Sequence, residues 1–90
     1  MIHPDRTIDA TGLRCPLPVL RAQKALGAMA VGSILEIIAD DAMAQIDMPH
    51  FCQQQGHILL EATAQKQGAH VYLIRRGPDR ELSERVEISG

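Results

Sequence analysis

The chain has 90 residues, enough for one domain, and its 46% hydrophobic and 22% charged residues are typical of a globular protein. Aromatic residues make up only 2%, which disfavours both base stacking on nucleic acid and an aromatic-cage pocket. The formal net charge of −2 gives the chain no basic footprint for a phosphate backbone.

Two cysteines are too few for a disulfide framework, so we expect two free thiols in a reducing cytoplasm. No apolar run approaches the ~20 residues that a membrane span requires. Residues 1–7 lack the apolar segment of a signal peptide. We therefore expect neither a membrane-bound nor an exported protein.

Residues 7–9 predict a short first strand, and Thr11-Gly12 has the composition of a turn. Apolar residues then recur at helical spacing, at Val19, Ala22, Leu26 and Met29. This spacing predicts a helix that begins at Pro16 and ends near Met29. Proline suits the first position of a helix because its missing N–H is not needed there.

The middle of the chain predicts a second strand and a second helix. Residues 34–38 form an aliphatic run typical of a central, covered strand. Asp40 and Asp41 follow this run, and we expect them to cap the second helix. Pro49 is expected to break or delay that helix, because proline forbids an ordinary interior hydrogen bond. Gly56 is expected to end it.

The last elements form a predicted hairpin. Residues 57–64 alternate as in a half-buried strand, the turn is at Gln67-Gly68, and a final strand covers residues 71–76. The order is therefore β-α-β-α-β-β, and right-handed crossovers would place both helices on one face of a mixed four-stranded sheet. We interpret residues 78–90 as a polar, mobile tail, with an added edge strand as the alternative.

Cys15 is the candidate functional residue. It borders the start of the first helix, where the helix dipole is expected to lower the pKa of a thiol and so favour the nucleophilic thiolate. Arg14 and Arg21 add positive charge nearby, and Pro16 and Pro18 stiffen the turn and hold the thiol outward. The alternative is an ordinary cysteine in the capping region of a helix.

Residues 9–20, Asp-Ala-Thr-Gly-Leu-Arg-Cys-Pro-Leu-Pro-Val-Leu, closely resemble the Cys-Pro-x-Pro signature of the TusA/SirA-like sulfur carrier family. Weaker similarities follow in order at residues 39–41, 47–52 and 73–77, so the resemblance covers about residues 5–77. It implies a carrier domain over residues 1–77. The implied fold is a two-layer α/β sandwich similar to the C-terminal domain of translation initiation factor three, in agreement with the predicted order of elements.

The resemblance also implies a chemistry. The signature cysteine of the family, here Cys15, accepts a sulfane sulfur as a persulfide from a cysteine desulfurase or a rhodanese-like donor. It then passes the sulfur to an acceptor protein, as in tRNA thiolation, cofactor assembly or sulfur oxidation. This is a sulfurtransferase-type relay with no cofactor besides the transient persulfide, and with no metal. Gln23 stands where the family often has a basic residue, which leaves Arg14, Arg21 and Lys24 as the predicted partner-binding cations.

Two other functions stay open. A non-catalytic adaptor or regulatory module of the same fold would bind a partner through the first helix and use Cys15 only for packing. An RNA-binding domain follows only from analogy of fold, and the charge and the lack of aromatic residues oppose it. We expect a monomer, because a carrier must offer one thiol to several partners.

The remaining candidates have simpler interpretations. Cys52 lies beside Phe51 on the apolar face of the second helix, which predicts a packed, inert thiol rather than a redox partner of Cys15. Arg75-Arg76 could bind an acidic partner or could be a solvated strand end. The four histidines have no spacing typical of a zinc site, so we expect each at the surface or at an edge: His3, His50, His57 and His70.

Overall fold

The computed structural model describes residues 3–78, so the predicted mobile tail after Pro78 lies outside the described residues. The elements occur in the predicted order: β1 (Arg6–Asp9), α1 (Leu17–Gly27), β2 (Ile34–Ala39), α2 (Ala44–Gln55), β3 (Ile58–Ala64), a 3₁₀ turn (Lys66–Gly68) and β4 (His70–Arg75). Among the described residues, no helix is both long enough and apolar enough to cross a membrane.

The four strands form one mixed sheet with the order β1-β2-β4-β3. Strand β1 is parallel to β2, whereas β4 runs antiparallel to both of its neighbours. A parallel pair needs a crossover connection, and α1 supplies it. The aliphatic run predicted a central strand, and this prediction is confirmed: β2 buries every second side chain, namely Leu35, Ile37 and Ala39.

A single hydrophobic core lies between the helices and one face of the sheet. Helix α1 contributes Ala22 and Leu26, and α2 contributes Met48 and Phe51, to the same cluster as the inward residues of β2 and β4. Both helices therefore cover the same face, and the chain has the predicted two-layer α/β fold. The core is aliphatic apart from Phe51 and Tyr72, as the composition requires.

Helix α2 differs from the prediction at Pro49. The helix is not broken there but runs from Ala44 to Gln55 with Pro49 inside it. Burial explains this, since Met48 and Phe51 pack into the core on either side of the proline and hold the helix across the missing hydrogen bond. Gly56 ends the helix in the left-handed conformation at φ 80°, as predicted.

Strand β3 is more exposed than a half-buried strand. It lies at the edge of the sheet, pairs only with β4 and carries a bulge between Leu59 and Glu61. Only Leu59 and Leu60 are partly buried, and Leu59 packs against the core. The predicted turn at Gln67-Gly68 is confirmed, since both residues have the positive φ that favours such a turn.

Candidate functional site

Cys15 is exposed and lies in the loop that joins β1 to α1. The helix begins at Leu17, one residue later than predicted, because Pro16 is its N-cap residue. Pro18 falls in the first turn and is buried, whereas Pro16 is exposed. The buried proline therefore anchors the first turn to the core, and the thiol borders the start of the helix on its exposed side.

An acidic pair at the end of β2 fixes this loop. Asp40 Oδ1 accepts a hydrogen bond from the N–H of Gly12 at 2.9 Å, and Asp41 Oδ2 accepts one from the N–H of Cys15. Asp41 Oδ1 also accepts the N–H of Met43 at 3.3 Å. The prediction that the pair caps α2 is wrong, because the N-cap residue is Met43 and no side chain caps it. The pair reaches the loop because the parallel strands β1 and β2 end at the same edge of the sheet.

The thiol of Cys15 has a carboxylate partner on the second helix. Its Sγ donates a hydrogen bond to Asp47 Oδ2 at 3.2 Å, and Asp47 lies in the first turn of α2. This hydrogen bond, together with partial loss of water and the negative charges of Asp47 and Asp41, raises the pKa of Cys15 above its ordinary value. The expected lowering of that pKa is therefore wrong, because the groups in contact with Cys15 are acidic.

Asp47 was not predicted as a site residue. Its contact with Cys15 joins residues 32 positions apart and depends on how α2 packs beside α1. The available signal was weak: an acidic residue in the first turn of a helix, a position where the helix dipole favours negative charge. That signal indicates a helix start and does not point to a thiol.

A groove of about 400 Å³ lies beside Cys15 and is open to solvent. Its lining combines apolar and polar side chains from both helices with Cys15 and Pro16 of the preceding loop. The residues are Cys15, Pro16, Val19, Gln23, Asp47, His50, Phe51, Gln54 and Gln55. Another molecule that enters this groove can therefore reach the thiol.

The predicted partner-binding cations lie outside the groove lining. Arg14, Arg21 and Lys24 are all exposed, the first in the loop and the other two on α1. Four exposed apolar side chains lie within five positions of Cys15 or of its partner Asp47 in the sequence. They are Leu17, Leu20, Met43 and Ile46, with exposed fractions of 46%, 49%, 45% and 64%.

Cys52 has the environment expected of a packed thiol. It is buried in the hydrophobic core, and burial raises its pKa to about 11. Both cysteines are free. The two thiols therefore differ sharply, with Cys15 open to partners and Cys52 closed to them.

Arg76 is structural rather than solvated, whereas His57 precedes the edge strand β3, in agreement with the predicted surface or edge position. Arg76 is buried and donates hydrogen bonds from Nε to the carbonyl of Leu26 at 2.9 Å and from Nη1 to that of Gly77 at 2.6 Å. The interpretation of a solvated strand end thus fits only the exposed Arg75. His57 is half-buried, since its Nδ1 accepts the N–H of Gly77 at 2.9 Å.

Residues 3–78 contain no group of three or more histidine, cysteine, aspartate or glutamate residues that could hold a metal ion.

Known proteins similar to this chain share most of its length. Residues 6–76 match the family model described as sulfurtransferase TusA. The sulfur carrier protein TusA of Pseudomonas entomophila is 42% identical over 79 residues, which are 88% of this chain and 96% of that protein. A protein of Neisseria meningitidis serogroup A, named as a candidate sulfur carrier, is 52% identical over 59 residues, which are 66% of this chain and 80% of its own.

A solved structure has the same architecture. The crystal structure of a SirA-like protein from Desulfitobacterium hafniense matches with a TM-score of 0.71 and 28% identity, over 81% of this chain and 99% of that one. The family match, the named relatives and this structure agree with the resemblance carried by the Cys-Pro-x-Pro signature. The chain therefore belongs to the TusA family of sulfur carriers.

Proposed function

We propose that the protein carries sulfur as a persulfide on Cys15 and relays it between two protein partners. A cysteine desulfurase or a rhodanese-like protein donates the sulfur, and an acceptor protein receives it. The observation that supports this proposal best is the geometry of Cys15, an exposed thiol held at the start of α1 beside an open groove. Membership of a sulfur carrier family supports it independently.

The proposed transfer needs no oxidant. The sulfur of Cys15 attacks the terminal sulfur of a donor persulfide, R–S–SH, and the S–S bond of the donor breaks as the new S–S bond forms. The products are a persulfide on Cys15 and the donor thiol R–SH, which takes up the proton that the thiol of Cys15 has lost. The second transfer repeats the exchange, with an acceptor thiol attacking the terminal sulfur carried on Cys15.

The surface around the thiol suits partners that dock and leave. We propose that exposed apolar side chains near the site, Leu17 and Met43 among them, provide the contact area. Arg21 and Lys24 lie exposed on α1 and would add charge at the rim of that contact. A monomer in the reducing cytoplasm, with its thiol open to solvent, is the form that we propose for the carrier.

Mass spectrometry tests this function directly. The protein is incubated with a cysteine desulfurase and free cysteine, and we expect the peptide that contains Cys15 to gain the mass of one sulfur atom. Cys15→Ser should abolish the gain, whereas Cys52→Ala, the matched control, should retain it. No gain in the wild-type protein, with a donor shown to load another acceptor, would contradict the proposal. An adaptor would keep its entire function in Cys15→Ser.

A further inference from the structure

We propose that Asp47 is the proton acceptor of Cys15: it holds the thiol proton in the free carrier and takes that proton when the sulfur attacks a donor persulfide. This inference rests on the proposed function of Cys15. It goes further by assigning a catalytic role to a second residue, on a different helix.

The geometry meets the first requirement for a base, which is contact with the proton to be moved. The Sγ of Cys15 lies 3.2 Å from Asp47 Oδ2 and is the donor of that hydrogen bond. Asp47 lies in the first turn of α2, where the positive end of the helix dipole favours a carboxylate. The carboxyl group also lines the open groove, so a partner that docks there covers it.

The other charged groups near the thiol are placed less well for this role. Asp41 accepts hydrogen bonds from the N–H groups of Cys15 and Met43, which occupy both of its carboxylate oxygens. His50 lines the groove on α2, and Arg14 is exposed beside Cys15. Among residues 3–78, the hydrogen bond from the Cys15 thiol goes to Asp47.

The proton and the electron pair balance within one exchange. The proton passes from Sγ to Asp47 Oδ2 as the sulfur forms its bond to the terminal sulfur of R–S–SH. The donor S–S bond breaks, its electron pair goes to R–S⁻, and Asp47 returns the proton to that thiolate. A docked partner presents the terminal sulfur of R–S–SH to Cys15 while Asp47 Oδ2 accepts the hydrogen bond of its thiol.

In the free protein, the hydrogen bond from Cys15 to Asp47 has the opposite effect and makes the thiol less reactive. Without a partner, the carboxylate stabilises the protonated thiol and so protects Cys15 from small electrophiles. Removing the charge at Asp47 should therefore speed the reaction of the free thiol and slow the transfer of sulfur from a protein donor. This pair of opposite changes distinguishes a base from a residue that acts through its charge alone.

Two assays on Asp47→Asn measure the two effects, each in a Cys52→Ala background so that one thiol reacts. In the first assay, the rate of Cys15 alkylation by iodoacetamide is followed against pH, and we expect the profile to move to lower pH. In the second, single-turnover transfer from a persulfide-loaded cysteine desulfurase is measured at saturating donor. We expect the rate to fall by about a hundredfold or more, the lower end of general-base effects.

Two further variants serve as controls. Asp47→Glu keeps a carboxylate and should recover part of the transfer rate and of the alkylation profile. Glu36→Gln removes one carboxylate from the face of the sheet opposite the helices, where Glu36 accepts a hydrogen bond from Thr7. Glu36→Gln should match the wild type in both assays.

The outcomes separate this inference from the function on which it rests. An unmoved alkylation profile in Asp47→Asn, transfer that is unchanged or faster, or a loss confined to KM would each overturn the role of proton acceptor. A wild-type protein that accepts no sulfur overturns the proposed function and the transfer role of Asp47 with it. Alkylation still reports the contact between the two side chains in that case.

Discussion

The backbone N–H of Cys15 donates a hydrogen bond to Asp41 Oδ2, which joins two residues 26 positions apart in the sequence. A second bond of the same kind, from the N–H of Gly12 to Asp40 Oδ1, holds the loop three residues after the end of β1. The position of the Cys15 thiol therefore depends on the end of β2 as well as on α1, the helix that follows Cys15.

Replacing Asp41 should loosen this loop in a way that depends on the new side chain. In Asp41→Ala no acceptor is left for the N–H of Cys15, so we expect faster exchange of that amide and a loss of about 1 kcal/mol in the free energy of unfolding. Asp41→Asn keeps a carbonyl acceptor and should retain most of the protection. Amide hydrogen exchange by NMR and urea unfolding measure these effects.

Both Asp41 variants remove one negative charge that raises the pKa of Cys15. Alkylation of Cys15 should therefore move to lower pH in both, although only Asp41→Ala loosens the loop. Equal exchange rates for the Cys15 amide in the two variants would contradict the structural role assigned to the carboxylate.

Cys52 should make stability fall at alkaline pH. Its pKa is raised by burial from 9.0 to about 11 in the folded protein. Below pH 9 the thiol is protonated in both states, whereas above it the unfolded chain ionises first, so the free energy of unfolding decreases as pH rises toward 11. Cys52→Ala should flatten part of this decrease, as measured by urea unfolding at a series of pH values.

The burial of Cys52 also predicts that a thiol reagent labels Cys15 and not Cys52 in the folded protein. Iodoacetamide at neutral pH should add one label to the native protein, on Cys15, and a second only after denaturation. Two labels on the folded protein, found by intact-mass measurement, would show that Cys52 is accessible.

Features carried by local sequence could be predicted well. The prolines of the Cys-Pro-x-Pro motif predicted the start of α1 to within one residue, because prolines restrict the backbone locally. The aliphatic run of β2 predicted a central strand, and β2 lies between β1 and β4 in the sheet. Gly56 predicted the end of α2 because the left-handed conformation there favours glycine.

Features set by tertiary contact could not be predicted in the same way. Asp41 resembled a helix cap and Arg76 a solvated strand end, since both occupy positions that local rules explain adequately. Their actual partners are the Cys15 amide and the Leu26 carbonyl, 26 and 50 positions away. The sign of the Cys15 pKa shift was wrong for the same reason, because it depends on Asp47 across the two helices.

Arg76 should contribute to stability although it carries a charge. Its Nε donates a hydrogen bond to the carbonyl of Leu26, near the C-terminus of α1, and the Arg76 side chain is buried. Arg76→Met removes this hydrogen bond from a charged donor and leaves the carbonyl of Leu26 with backbone donors such as the N–H of Met29, so we expect a loss of about 1–3 kcal/mol in urea unfolding. The exposed neighbour gives a matched control, since Arg75→Met should change stability by less than about 0.5 kcal/mol. Similar losses in the two variants would contradict the buried role of Arg76.

Gly77 and Gly27 should respond in opposite directions to the same substitution. A Cβ on Gly77 would lie 1.8 Å from the carbonyl oxygen of Gly56, which is backbone and cannot move aside without displacing the end of α2. The N–H of Gly77 also donates to His57 at 2.9 Å, a bond that such a displacement disturbs. We therefore expect Gly77→Ala to be strongly destabilising.

Gly27 provides the comparison within the same fold. It is the last residue of α1, and a Cβ there meets no atom within 4 Å. Alanine loses less backbone entropy on folding than glycine, so Gly27→Ala should raise the free energy of unfolding by up to about 1 kcal/mol. Thermal and urea unfolding of the two variants measure the contrast. A Gly77→Ala protein as stable as the wild type would mean that the backbones of Gly77 and Gly56 are not in close contact in solution.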